Sequence, residues 1–374
     1  MAPRQPRKQI RVTCSVIALL IAFPASVWAW GSATHHYIAQ NYSKHLPATM
    51  SGLRAYDSVV DAHVNDPDTR RPTTPGEEYR HYIDVDYYWE FLAGAMPHDR
   101  ATLEATHGPQ TVLETGIVPW AVAEVVTTLT QQFQAGQWSA AALTIADLCH
   151  YVGDVTQPLH CTMNFNGQLT GNSGIHSRYE STMMSGHIAD LSTPLMPVAY
   201  YANPSDAMFG LVSGSWDQVD AVLAADNTAR AASGGAFNST YYASLWASTG
   251  NFTRTRIDSA TVATASFVHS AWINAGRPVI PGSTAGVIPA SPGVALSAGP
   301  TPFRDALLIQ FAGYGPMTVD VFDVRGTRIE RLVDGASSAG TVTWRPDRSV
   351  GAGLYFVRLA GPDLDVVRRV SRLR

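Results

Sequence analysis

Residues 149–180 read CHYVGDVTQPLHCTMNFNGQLTGNSGIHSRYE, and the reading of this stretch decides the fold. His150 and Asp154 stand at i, i+4 and so project from one face of a helix. Pro158 cannot continue that helix, so the spacing predicts its end near there. His160 follows the break, and His176 with Glu180 makes a second i, i+4 pair that can close on it. Imidazoles and carboxylates converging from a rigid frame are the donor set that zinc takes. Singly, each of the five also reads as an ordinary core, surface or solvated side chain. Two donor pairs with a histidine between them are hard to obtain by chance.

Working outward, apolar residues recur at helical spacing on both sides of the stretch. Val122, Val125, Val126, Leu129 and Phe133 form one stripe from Pro119, which Gly136 ends. A second helix from about Trp138 turns Ile145, Leu148 and Val152 inward and delivers His150 and Asp154. Residues 47 to 66 read as a helix with Leu53, Tyr56, Val60 and His63 roughly in register, running out at NDPDTRR. Further helices are expected near Trp216 to Leu223 and from about Thr253 to Ala275. In the latter Ile257, Thr261, Thr264, Val268 and Trp272 share a face, and Gly276 and Pro278 mark the stop. No strand-like alternation precedes residue 280, so residues 30–280 are expected to form an all-α domain.

Residues 281–300, rich in Pro, Gly, Ser and Ala without charge, read as a linker. Beyond it MTVDVFDVRG, RIERLVD, GTVTWRP and GLYFVRLAG alternate apolar and polar residues between turns. The expected fold is therefore mainly α, with a small all-β sandwich at 301–374.

Residues 1–29 read as a secretory signal: Arg4, Arg7, Lys8 and Arg11, an apolar run from Val12 to Phe23, then VWA before Trp30. The run is short for a bilayer span. Export followed by cleavage near Ala29 makes the expected product a secreted protein. The whole chain of 374 residues has a formal charge of -4, whereas residues 301–374 carry 11 Arg against 8 acidic residues. The helical part is correspondingly acidic, which argues against a general polyanion binder, although bound zinc would reverse the sign locally. Cys149 and Cys161 flank the central cluster. They read either as a disulfide, which export permits, or as small buried or free thiols.

Cleavage after Ala29 would leave WGSATHHYIAQ at the N-terminus. A free α-amino group has a pKa of about 8, so a metal can displace its proton, and with the Trp30 carbonyl oxygen it forms a five-membered chelate.

HYVGDVTQPLH followed by GIHSRYE resembles the zinc-dependent phospholipase C family, which shares its fold with the trinuclear-zinc single-strand nucleases, over about residues 30–278. That resemblance implies three zinc ions (Zn2+). His81, His150, Asp154 and Asp66 would hold one. The Trp30 amine and carbonyl with His35 would hold a second, bridged by Asp154, and His160, His176 and Glu180 the third. His35 fits the motif better than His36, and His81 fits the family's HY step. Asp66 of Asp66-Pro67-Asp68 fits the acidic position, with Asp68 as the fallback. The DPD run is also a good turn sequence. Asp84 and Asp86 read as orienting groups for His81 or as loop caps.

The implied activity is that of a phosphoric diester hydrolase: zinc-activated water attacks phosphorus, with Asp66 as water holder or general base and Asp154 bridging two ions. Glu180 at the end of HS-x-YE, together with HYVGDV, leans toward phospholipase C-type action on phospholipid, with transient contact to a membrane surface. The spacing from His160 to Asn164 is one residue longer than that family's. The alternative is a single-strand-preferring nuclease, for which Tyr87, Tyr88 and Trp89 are aromatics available for stacking, though such residues are usually core. A third reading is a non-catalytic, zinc-stabilised binding module. Residues 301–374 resemble the FlgD-like immunoglobulin-type domain and are similar to C-terminal secretion-sorting modules. This implies contact with a cell surface or with secretion machinery.

Overall fold

A computed structural model describes residues 30–283, 296–311, 317–336, 340–347, 349–361 and 364–373. The expected signal at 1–29 and residues 284–295 of the expected linker lie outside them. The chain is mainly helical, followed by an all-β region of two antiparallel sheets.

The helix Val118–Gln134 buries Val122, Val125, Val126, Leu129 and Phe133, the stripe read from the sequence, and Val118 with them. Truncating such a side chain as Phe133 would cost about 3–5 kcal/mol. Gly136, at φ 66°, turns the chain into the helix Trp138–Thr156. Every residue from Leu148 to Thr156 is buried, so the last turns of this helix are enclosed on all sides. The Gln157 side chain closes it by accepting from Leu159 N, and Pro158 opens the 3-10 turn Pro158–Cys161. A helix wrapped all round has no solvent for its polar groups, so His150 and Asp154 need partners within the fold.

Elsewhere the elements differ from expectation in extent. The segment expected as one helix over 47–66 is the 3-10 helix Ala48–Tyr56 followed by the α-helix Asp57–His63, and a separate turn, Asp66–Arg70, comes next. The expected helix near Trp216 is two, Pro204–Trp216 and Val219–Ala232. The last helix runs from Ser239 to Asn274, about 54 Å at 1.5 Å per residue, and starts fourteen residues before Thr253 because Asn238 caps it by accepting from Tyr241 N. Among the described residues no helix is long and apolar enough to cross a membrane. Cys149 and Cys161 are both buried free thiols.

In the β region the sheets have strand orders β1-β2-β5 and β4-β3-β6-β7, with β1 Leu296–Gly299, β2 Leu307–Phe311, β3 Met317–Asp323, β4 Arg328–Ala336, β5 Gly340–Trp344, β6 Gly353–Gly361 and β7 Leu364–Arg372. Leu307, Ile309 and Trp344 of one sheet and Val319, Val321, Val357 and Leu359 of the other belong to one buried cluster, which makes the pair a sandwich. The sheet starts inside the expected linker: β1 pairs Leu296 with Phe311 and buries Leu296.

Candidate metal centre

Three groups of donor atoms converge in the helical region: His35, His150 and Asp154; Asp68, His81 and His150; and His160, His176 and Glu180. Asp154 also reaches the middle group: its Oδ2 lies 2.9 Å from His81 Nδ1 and 3.5 Å from His150 Nε2, and those two nitrogens are 3.2 Å apart. Asp68 Oδ1 stands 3.8 Å from His81 Nδ1 and 3.7 Å from His150 Nε2. A tetrahedral site with bonds of about 2.0–2.2 Å has edges of about 3.3–3.6 Å, and these four atoms straddle that range. The other Asp154 oxygen lies 3.3 Å from His35 Nε2, so one carboxylate faces two groups. Glu180 Oε2 lies 2.9 Å from His176 Nε2 and 3.5 Å from His160 Nε2.

Local structure explains the convergence. Asp154 follows Gly153, where a Cβ would stand 3.0 Å from His35 Nδ1 and Ile38 Cδ1; the bare glycine lets the helix Ser32–Asn41 close onto the long helix. His150 Nδ1 donates to Val64 O, His160 Nδ1 to His81 O and His176 Nδ1 to Phe165 O, at 2.7–2.9 Å, which aims each Nε2 inward. The Ile83 amide donates back to His160 O, tying the His81 segment to the 3-10 turn. Glu180 sits in a π-helical turn, Arg178–Met183, and its carbonyl accepts from Gly31 N at 3.2 Å. That bond brings the chain at Trp30 beside the third group. The Trp30 ring is fully buried, 5.6 Å from Tyr179, and its indole N–H donates to Thr156 Oγ1.

The electrostatics call for a cation. Burial and the nearby His35 hold His150 well below the ordinary imidazole range, so it is neutral. Burial works against the Asp154 charge, but the surrounding histidines His150, His35 and His81 together outweigh it and hold its carboxyl well below the usual carboxylate range, so the positive charge is shared among the imidazoles rather than carried by His150. His150 and Asp154 are thus shifted toward the neutral imidazole and ionised carboxylate that metal ligation needs, whereas His81 and His160 are shifted up, against burial, by the carboxylates they face, Asp154 and Glu77 for the one and Glu180 and Asp154 for the other. Burial, then the charge of Asp154, pushes the Asp68 carboxyl up, because the two acids face each other with too little positive charge between them. The inward atoms His35 Nε2, Asp154 Oδ1, His160 Nε2 and His176 Nε2 are buried without hydrogen-bond partners, as are the second oxygens of Asp68 and Glu180. Buried polar atoms are ordinarily paired, and a group of orphans pointing at one another fits divalent ions shared between them.

Seven of the residues expected from the sequence, His35, His81, His150, Asp154, His160, His176 and Glu180, stand in these groups. At the acidic position the two candidates of the sequence separate. Asp66 is 52% exposed and pairs with His63 Nδ1 at 2.7 Å, whereas Asp68 is 5% exposed and faces His81 and His150. Residues two apart on a helical turn point about 200° apart, so only one of the two can face inward. His36 stands outside, bound to Asp61 at 2.7 Å. Asp86 accepts from Thr162 Oγ1 and Met163 N, so it fastens the loop after His160 rather than orienting His81. Of the three aromatics, Tyr88 is core, whereas Tyr87 and Trp89 are exposed. The sequence reading passed over Glu77, which is buried beside His81. Its signal was present as a third carboxylate and histidine at i, i+4 spacing.

No family model and no curated protein matches the chain. Among solved structures it is similar to an alpha-toxin of Clostridium perfringens isolated from avian strain SWCP, at 10% identity and a TM-score of 0.44, and to the alpha toxin of Clostridium absonum, at 11% and 0.43. In both cases the match covers 92% of this chain and 96% of the other.

Proposed function

We propose that the chain is a secreted zinc-dependent phosphodiesterase acting on phospholipid in the manner of a phospholipase C. The observation that carries this reading is the convergence of buried imidazole and carboxylate atoms near tetrahedral spacing, with further donor atoms around them left without hydrogen-bond partners. Asp68, His81, His150 and Asp154 would hold one ion; Asp154, His35 and, after cleavage at Ala29, the Trp30 amine and carbonyl a second; and His160, His176 and Glu180 the third. When bound, zinc supplies a water acidified to near neutral pH and positive charge for the phosphoryl oxygens. Asp68 would take over the role expected of Asp66: its Oδ1 faces His81 and His150, its Oδ2 is buried without a hydrogen-bond partner, and the carboxylate would hold the attacking water and accept its proton. Gln157 Nε2 donates to Glu180 Oε2 at 2.9 Å and orients that carboxylate.

The lipid substrate is supported by an apolar rim, meaning the exposed side chains on the segments that follow His81 and His160. Exposed Tyr87, Trp89 and Leu92 lie on the segment that Asp86 fastens to the loop carrying exposed Met163 and Leu169. Residues 85–92 and 162–169 contain no Lys or Arg. An apolar rim without cations suits a zwitterionic lipid surface better than a polyanion. Exposed Tyr87 and Trp89 are also the feature that favours the second reading, a single-strand nuclease that stacks bases. We assign the β-sandwich, in which no metal-ligand group occurs among the described residues, to contact with a cell surface or secretion machinery.

The test uses protein purified after export, with its first residue determined and its zinc counted. It is assayed in parallel on phosphatidylcholine liposomes and on single-stranded DNA, with and without chelator. Chelator-sensitive hydrolysis of the liposomes is expected. Hydrolysis of DNA alone would install the nuclease, and zinc uptake without hydrolysis of either would leave a binding module.

A further inference from the structure

His81 differs from the other buried histidines in the atom it turns to the metal groups. His150, His160 and His176 present Nε2 and give Nδ1 to backbone carbonyls. His81 is reversed. Its Nδ1 faces Asp154, His150 and Asp68, and its Nε2 has no hydrogen-bond partner and stands 3.6 Å from Glu77 Oε1. That separation is an ion-pair distance, a few tenths of an ångström beyond a hydrogen bond.

Glu77 is itself tightly held. Only 4% exposed, it takes Arg70 Nε on Oε2 at 3.1 Å and the Tyr151 hydroxyl on Oε1. Arg70 in turn donates to both oxygens of Asp147 at 2.9 Å and to Tyr151 Oη at 2.7 Å. A fixed carboxylate behind a ligating imidazole sets its tautomer and raises its basicity.

We propose that Glu77 is a positioning residue: as the acceptor for the Nε2 proton of His81 it fixes the ring with Nδ1 toward Asp68, His150 and Asp154, and so sets the metal affinity of that one group. This rests on the zinc reading above. The competing role is a strut that only joins Arg70 to Tyr151.

The experiment compares wild type, Glu77→Gln and Tyr151→Phe as full exported proteins. Zinc is titrated against a chromogenic chelator, and the His81 tautomer is read in metal-free protein by ring-nitrogen NMR. Wild type is expected to hold the Nε2–H form. Glu77→Gln should weaken one zinc equivalent about 10–100-fold, leave the others unchanged, and mix the tautomers. Tyr151→Phe, which keeps the carboxylate, should lower thermal stability without changing zinc affinity. Unchanged or uniformly weakened zinc binding in Glu77→Gln would overturn the proposal, as would equal weakening of the same site in Tyr151→Phe. Absence of zinc uptake by wild type would instead remove the metal reading, and the tautomer spectrum would still decide the Glu77 contact.

Discussion

The Gly31 amide donates to the carbonyl of Glu180 at 3.2 Å, so the first described residues are pinned to the π turn that carries a candidate ligand. A Cβ at Gly31 would meet Ser181 Cα at 2.8 Å and Glu180 O at 3.1 Å, and backbone atoms cannot step aside as a flexible side chain can. Gly31→Ala should therefore push Trp30 away from the centre. Overpacking of this kind costs about 1–3 kcal/mol. The expected result is a lowered Tm together with the loss of the zinc equivalent assigned to the Trp30 amine. Full zinc content and wild-type activity in Gly31→Ala would show that the N-terminus takes no part.

The acidic residues separate cleanly by position. Asp154→Ala removes a carboxylate that faces two groups and should lower zinc content by more than one equivalent, with activity falling to background. Asp68→Ala should reduce the middle group alone. Asp66→Ala, at a half-exposed position paired only with His63, should change stability by no more than about 0.5 kcal/mol and leave zinc unaltered. Metal analysis with thermal melts on the three variants is sufficient. Strong loss in Asp66→Ala with an intact Asp68→Ala would reverse the assignment.

What the sequence made legible was the set of contacts that follow from a period. His150 with Asp154 and His176 with Glu180 share faces because i and i+4 do, and the core stripe from Val122 to Phe133 obeys the same rule. The choice between Asp66 and Asp68 was not legible, because it depends on how a five-residue turn is rotated against His81. The strand β1 was hidden in a linker-like run because Leu296 finds its partner only across the sheet, at Phe311. The break at Asp57 is likewise set by tertiary context: Ser43 Oγ donates to Asp57 Oδ2 at 2.8 Å, a contact no local pattern announces.

Asp84 gives a pH signature of the metal-free fold. Burial, then the charge of Asp86, pushes its carboxyl up to about 7, against a partial pull from His160. The folded state therefore holds this proton more tightly than the unfolded chain does. Its contribution to stability is full below the ordinary carboxylate range and is lost as pH rises through about 7. In the presence of chelator, Asp84→Asn should flatten part of the fall in Tm between pH 5 and pH 8. Parallel curves for wild type and variant would show that Asp84 is ionised throughout.

The exposed rim separates the two substrates by experiment. Trp89 is 63% exposed and Tyr87 43%, on a segment held beside the loop after His160. If these rings enter a lipid surface, each buries apolar area worth about 1.5–3 kcal/mol, which is roughly tenfold or more in the population of surface-bound enzyme. A Tyr87→Ala, Trp89→Ala double variant should then lose that factor on phosphatidylcholine vesicles while hydrolysing a soluble chromogenic diester at the wild-type rate, because neither ring stands among the ligands. Sedimentation of the protein with vesicles measures the binding step directly. A variant that kept its vesicle activity but lost turnover of single-stranded DNA would identify the rings as base platforms, and the substrate would then be nucleic acid.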